Sequence, residues 1–356
     1  MDDRNGASKL KLLMIGPMST EIGGTTISFA HLRNSLDQCE DFSTTAVSTE
    51  GIRGSGWKAP LRYARLLWRV LRQAAKVDVV SLHAIITGVP YLGIPVLFIC
   101  RLLRRPLLFR LFGGADYRDD ALGPISRPLT SFFFRSADLY LAQTHQLVAN
   151  AHEDGIDRVE WFPTARPLPN RSRVRPPEGP CRRFVFIGQV KIEKGLRELV
   201  EAAVGLDDDA VVHVYGPWYD LPRDTFDSPS RVEYQGVLKP SEVSETIAQY
   251  DAVVLPSYLP HEGYSGVVIE AYGVARPVIA TRWNALGEIV RDGETGLLVP
   301  PRDVTSLRNA MRKLMEDTEL YRSLSKGGLE FGQEFTTERA AERFINACRQ
   351  LQHNRP

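Results

Sequence analysis

The stretch "RFVFIGQVKIEKGLRELVEAAVGLDDDAVVHVYG", Arg183 to Gly216, reads as strand, loop, helix and strand. "RFVFIGQ" and "AVVHVYG" are short continuous apolar runs, the pattern of strands covered on both faces. "KGLRELVEAAVG" between them carries helical periodicity. Short apolar strands alternating with amphipathic helices point to a parallel sheet in an α/β domain.

Working outward, the same alternation continues. "RVEYQG", "DAVVLPS" and "RPVIATR" read as further strands, "YSGVVIEAYGV" as a helix, and Val304 to Gln352 as helical. Towards the N-terminus, "KLLMIGP", "VDVVSLH", "PLLFRLF" and "DLYLAQT" repeat the strand pattern, and "TTISFAHLRNSL" follows a glycine loop as a helix. Between the halves, Phe162 to Arg183 is rich in proline and arginine and reads as a linker. With 356 residues, two domains are expected. The expectation is two Rossmann-like doubly wound domains facing a cleft, residues 1–170 and 171–335, with a C-terminal helix, 336–356, returning to the first.

Composition is that of a soluble globular protein, 43% hydrophobic and 24% charged, with net charge +1. The four scattered cysteines form no CxxC pair, so neither a zinc site nor a disulfide framework is suggested. No metal ligand set is expected, and a reduced, cytoplasmic setting fits. "MDDRNGASKLKLL" lacks the basic-then-apolar order of a secretory signal. "VVSLHAIITGVPYLGIPVLFIC", Val79 to Cys100, has the length of a membrane span, but its glycines and prolines favour a strand, a turn and a buried helix.

In parallel sheets ligands bind beyond the carboxyl ends of strands. "HEGYSG" is such a loop after "DAVVLPS", with Ser265 near the start of a helix. The free amides and dipole of a helix N-terminus suit a diphosphate. Gly263 and Gly266 leave room for close approach. Glu262 before the helix and Glu270 inside it, seven residues apart in between, can each hold hydroxyl groups. Lys194, before a glycine and after a strand, suits phosphate contact.

The stretch Pro256 to Asp303, with its paired glutamates, "PVIAT" strand and "GLLV" strand, resembles the family 4 glycosyltransferases of GT-B fold. "FIGQVKIEKG" is similar to that family's phosphate-binding loop and "IGGTT" to its N-terminal glycine loop. The resemblance implies a metal-independent retaining transferase with a UDP- or GDP-linked sugar donor and no cofactor. It implies that Glu270 binds ribose hydroxyls and that Glu262 binds the transferred sugar and stabilises the transition state. Lys194 would neutralise the leaving diphosphate, with amides of Ser265, Gly266 and Val267 on the same phosphates and Gly23 and Gly24 approaching from the other domain. Three positions depart from the family pattern: Gln189 replaces an arginine, Phe112 a histidine and Ala275 a glycine.

Other constellations weigh less. "DDD", Asp207 to Asp209, precedes a strand and reads as a solvated turn. "DYRDD", Asp116 to Asp120, follows a strand, so Asp116 is an acceptor-side candidate beside a plain polar-loop reading. His83 ends a strand and is either acceptor-side or packed. Two carboxylates could serve glycoside hydrolysis, but a hydrolase needs no phosphate site. No GxGxxG follows a strand, which disfavours a dinucleotide oxidoreductase.

Residues 51–135 hold fourteen Lys and Arg against four Asp and Glu, a net of +10 against +1 for the chain. There Arg62, Arg65, Arg69 and Arg72 form a helical stripe interleaved with Leu66, Leu67, Trp68, Val70 and Leu71. This suits an anionic membrane surface. No nucleic-acid module accompanies the charge. The reading is a cytoplasmic transferase, peripheral on the inner membrane face, acting on a glycan or lipid-linked acceptor in surface polysaccharide or glycolipid synthesis. The alternatives are a nucleotide-sugar epimerase of the same fold and an inactive partner subunit.

Overall fold

The structure, a computed structural model, describes residues 9–18, 23–50, 58–118, 122–170, 174, 177, 179–227 and 231–353. Residues 1–8 of the N-terminal segment, Ile22 of the glycine loop, Asp119, Asp120 and part of the proline-rich linker lie outside them. The chain divides into unit 1, Met1–Thr164 with Thr337–Pro356, and unit 2, Ala165–Thr336.

Unit 1 begins with β1 (Leu10–Gly16), α1 (Gly24–Asp37), β2 (Phe42–Ser48), α2 (Ala59–Ala74) and β3 (Val79–Ile85). One 3-10 turn and one π-turn, Ile86–Gly88 and Val89–Gly93, lead into α3 (Ile94–Leu102) and β4 (Leu107–Phe112). Then come α4 (Ser126–Ser136), β5 (Leu139–Ala142), α5 (His145–Glu153) and β6 (Val159–Trp161).

Unit 2 runs β7 (Arg183–Ile187), α6 (Leu196–Ala203), β8 (Val211–Tyr215), β9 (Val232–Gly236), α7 (Val243–Ile247) and β10 (Ala252–Leu255). It continues with α8 (Gly266–Gly273), β11 (Val278–Thr281), α9 (Leu286–Ile289) and β12 (Gly296–Val299). It ends with α10 (Val304–Glu316) and α11 (Thr318–Phe331), and α12 (Thr337–His353) then belongs to unit 1, against α1.

Each unit holds one six-stranded sheet whose neighbouring strands pair parallel, in the orders β2-β1-β3-β4-β5-β6 and β12-β11-β10-β7-β8-β9. The apolar runs explain the central positions. Leu12, Leu13, Met14 and Ile15 of β1 are fully buried, as are Val253 and Val254 of β10. β2, "FSTTAVS", escapes the apolar-run reading because it is an edge strand with mostly half-exposed positions. Val79 to Cys100 forms β3, the two turns and part of α3; among the described residues no helix is long and apolar enough to cross a membrane.

Order fixes where a site can form. In both sheets the first strand of the unit lies inside, and the chain winds away from it in two directions. The switch points therefore lie between β1 and β3, and between β7 and β10. Such points open a crevice at the carboxyl ends of the strands.

Candidate active site

At the unit 2 switch point three loops are laced together. Gly188 N–H donates to Tyr215 O at 3.0 Å, and Val190 N–H to Pro217 O at 2.9 Å. Tyr258 N–H donates to Glu193 O at 2.8 Å. Gly195 sits at φ +72°, and a Cβ there would lie 2.1 Å from Pro256 O. Only glycine meets both the left-handed backbone and that close approach. The residue before it, Lys194, is thereby aimed across at the loop after β10.

Lys194 Nζ donates to Glu262 Oε2 at 2.5 Å, and Ser257 Oγ donates to the same oxygen at 2.6 Å. Lys194 and Glu262 are 9% and 7% exposed. Charges this far from water must be paired and hydrogen-bonded. Glu262 Oε1 has no hydrogen-bond partner among the described residues. One carboxylate oxygen is thus anchored and the other is available. Trp283 Nε1 donates to Leu259 O at 3.0 Å and steadies the loop that carries Glu262.

Ser265 is the N-cap of α8, and its side chain makes no capping bond. Val268 N–H donates to Ser265 O at 3.2 Å, while the amides of Gly266 and Val267 meet no main-chain acceptor among the described residues. These are the unsatisfied donors of a helix start. Gln189, in the loop before Lys194, is half-buried and makes no hydrogen bond among the described residues.

Glu270 departs from the sequence picture of a carboxylate waiting for a ligand. Arg166 Nε donates to its Oε1 at 3.1 Å, with Arg166 5% exposed. Burial pushes the Glu270 carboxyl above its ordinary value of 4.5, against the pull of Arg166. Burial likewise lowers Arg166 from its usual range. A Cβ on Gly266 would lie 2.0 Å from Arg166 Nη2, so the room this glycine leaves is filled by a guanidinium. Arg166 and Ser257 escaped sequence reasoning. The first sits in "FPTARP", read as linker, and nothing local marks its partner 104 residues on.

Unit 1 holds the remaining candidates. Gly23 caps α1, its N–H bonded to Thr26 Oγ1 at 3.2 Å, and Gly24 is exposed, with nothing within 4 Å of an added Cβ. Asp116 accepts from Asn150 Nδ2 at 2.6 Å. His83 is 1% exposed, with Phe29, Phe344 and Phe112 ring centroids at 5.0, 5.9 and 6.1 Å. Its Nε2 lies 2.7 Å from Ser81 Oγ. Burial, then Arg110, holds it well below its ordinary value of 6.5. Of the two readings of His83, this favours the packed one. Asp207–Asp209 precedes β8, at the end of the sheet away from the strand carboxyl termini; Arg182 pairs with Asp209 at 2.8 Å and Arg231 with Asp208. Among the described residues no His, Cys, Asp and Glu group could hold a metal ion.

Comparison with known proteins bears on family and fold. The family model described as glycosyl transferases group 1 matches residues 181–317, and the glycosyl transferase 4-like domain matches residues 34–165. A glycosyltransferase of Methanocaldococcus jannaschii is 30% identical over 46% of each chain. The sulfoquinovosyl transferase of Arabidopsis thaliana is 25% identical over 81% of this chain and 60% of its own. The chain spans 39% to 60% of the length of the first four curated relatives. Among solved structures, HepE of Anabaena in complex with UDP superposes with TM-score 0.75 at 15% identity, covering 96% of this chain and all of that one. With one model matched in each unit and the fold in common, the chain belongs to the family 4-type glycosyltransferases of GT-B fold.

Proposed function

We propose that the protein transfers a sugar from a nucleoside-diphosphate sugar to an acceptor hydroxyl, with retention of anomeric configuration and without a metal. The observation that carries this is the Lys194–Glu262–Ser257 cluster at the switch point. Breaking the donor bond leaves negative charge on the diphosphate and positive charge on the sugar. Lys194 and the amides at the start of α8, Ser265 to Val267, face the first; preplaced donors of this kind stabilise charge as it develops. Glu262, with Oε1 open, serves the second. Glu270 takes the ribose hydroxyls, and Gln189 lines the phosphate loop. Gly23 and Gly24 are assigned to the donor, and Asp116 to the acceptor side.

Solved HepE complexes contain UDP and UDP-glucose, which supports a nucleoside-diphosphate sugar, UDP- or GDP-linked, as the donor. The acceptor is a glycan or a lipid-linked acceptor. Similar folds include a lipopolysaccharide outer core galactosyltransferase and TarM, one form of which was solved with Fondaparinux, α-GlcNAc-glycerol and UDP.

Unit 1 supports a setting against the inner face of a membrane. Arg65, Arg69 and Arg72 of the stripe are exposed, whereas Arg62 is partly buried. α2 packs on α3 and α3 on α4, and Trp68, Tyr91, Phe98, Leu102, Ile125 and Phe132 of this layer are each more than half exposed. An apolar surface rimmed by arginine suits anionic lipid. Co-sedimentation with anionic vesicles that survives in the Phe98→Ser, Leu102→Ser, Arg65→Gln, Arg69→Gln variant would sink this part.

The main test is turnover of a donor panel by the purified protein, with product configuration read by NMR. An axial-to-axial or equatorial-to-equatorial outcome is expected. Conversion of donor without acceptor would favour an epimerase, and nucleotide binding without turnover an inactive partner subunit. Thermal shift with UDP, GDP and ADP ranks the nucleotides, because a ligand of the native state raises its stability.

A further inference from the structure

Arg166 is placed with more care than a linker residue needs. Its N–H donates to Phe335 O at 2.9 Å, and it bridges to Thr336, so its backbone is pinned within unit 2. Its Nη1 donates to Ala165 O at 2.9 Å and its Nε to Glu270 Oε1 at 3.1 Å. Its guanidinium lies against Gly266, the first residue of α8. Stability alone explains this poorly. A cation at a helix N-terminus opposes the helix dipole. A buried ion pair is often no better than apolar packing.

The arrangement makes sense for a carboxylate that must stay charged and fixed in a buried place. Resting on the reading of Glu270 as the ribose ligand, we propose that Arg166 is a positioning residue for donor recognition. It fixes one oxygen of Glu270 so that the carboxylate presents its other oxygen to the ribose diol. The Nε–H donor addresses Oε1, which holds that oxygen and leaves Oε2 for the ribose. Gly266 is part of the device, since any side chain there would displace the guanidinium.

The experiment measures binding of UDP and of 2′,3′-dideoxy-UDP by calorimetry, with the GDP pair in parallel. Wild type, Arg166→Gln, Arg166→Lys and the double variant Arg166→Gln, Glu270→Gln are compared. Wild type should prefer the ribonucleotide by about tenfold or more, the worth of a hydrogen bond to a charged group. Arg166→Gln should bring that ratio close to one while its affinity for the dideoxy form changes little, and Arg166→Lys should restore part of it. The double variant removes both buried charges; if it folds and also shows a ratio near one, loss of the ratio is not loss of structure. An Arg166→Gln protein that keeps the wild-type ratio, or loses affinity for both nucleotides alike, overturns the proposal and leaves Glu270 in place. A wild type that does not distinguish the two nucleotides overturns the ribose role of Glu270 and this proposal with it.

Discussion

The two switch points share a topology and differ in chemistry. Between β7 and β10, Lys194, Glu262 and Ser257 form a charged cluster with one carboxylate oxygen open. Close by the one between β1 and β3, His83 is closed in by Phe29, Phe112 and Phe344, the last from α12. Sheet order supplies a crevice, and the side chains that reach it decide whether it becomes a polar site or part of the core. Charge and unsatisfied amides gather in unit 2, so variants there should act on chemistry and variants around His83 on stability.

The sharpest way to break that contrast is Lys194→Ala. Turnover should fall by about 10²–10³, the usual cost of one preplaced donor to developing charge. Glu262→Gln should fall with it, and the two together by little more than either, because they form one hydrogen-bonded unit. Wild-type rates in steady-state assays of these variants would erase the distinction between the switch points.

Glu270→Ala should weaken donor binding by about 1–3 kcal/mol while altering turnover less. Binding should also fade as the medium is acidified. The Glu270 pKa is raised, so the carboxylate takes its proton above pH 4.5 and the charged form that holds the ribose is lost as pH falls through that raised value. A titration of donor affinity, flat in wild type down to pH 4.5, would remove Glu270 from the donor site.

At the other switch point the effect is on folding. His83 is held neutral in the folded chain, whereas the unfolded chain takes up its proton near pH 6.5. Its contribution is complete above that pH and declines below it, by at most about 1.4 kcal/mol per pH unit for one proton. The paired replacement Ser81→Ala, His83→Phe should flatten the thermal midpoint between pH 6.5 and 5 and leave nucleotide affinity alone. Loss of nucleotide affinity would mean that His83 itself serves the donor site rather than the core.

Gln189→Arg should give the smallest change. A partly exposed cation near a diphosphate is worth up to about 1 kcal/mol, or roughly fivefold in nucleoside-diphosphate affinity. Equal affinities for the nucleoside diphosphate in both proteins would show that this side chain points away from the phosphates.

Strand and helix identities were largely legible because burial writes them locally. "RFVFI", "DAVVL" and "PLLFRLF" are apolar because both faces of a parallel strand are covered, and each became a strand. β2 and β6 were not read, being an edge strand with polar positions and a three-residue strand. The Lys194 and Glu262 motifs stood out through spacing and family resemblance, yet their contact spans 68 residues and is set by the loops they share.

The sequence by itself determined the alternation of strands and helices, the two α/β halves and the glutamate and lysine motifs, since periodicity and short motifs depend on neighbours along the chain. Tertiary structure alone decided that Lys194 is bonded to Glu262, that Arg166 rather than solvent faces Glu270, and that His83 is shut among aromatic rings. Such pairings depend on which distant segments sheet order brings together. In a buried site the partner sets the charge state, so electrostatics that look alike in sequence diverge once the chain is folded.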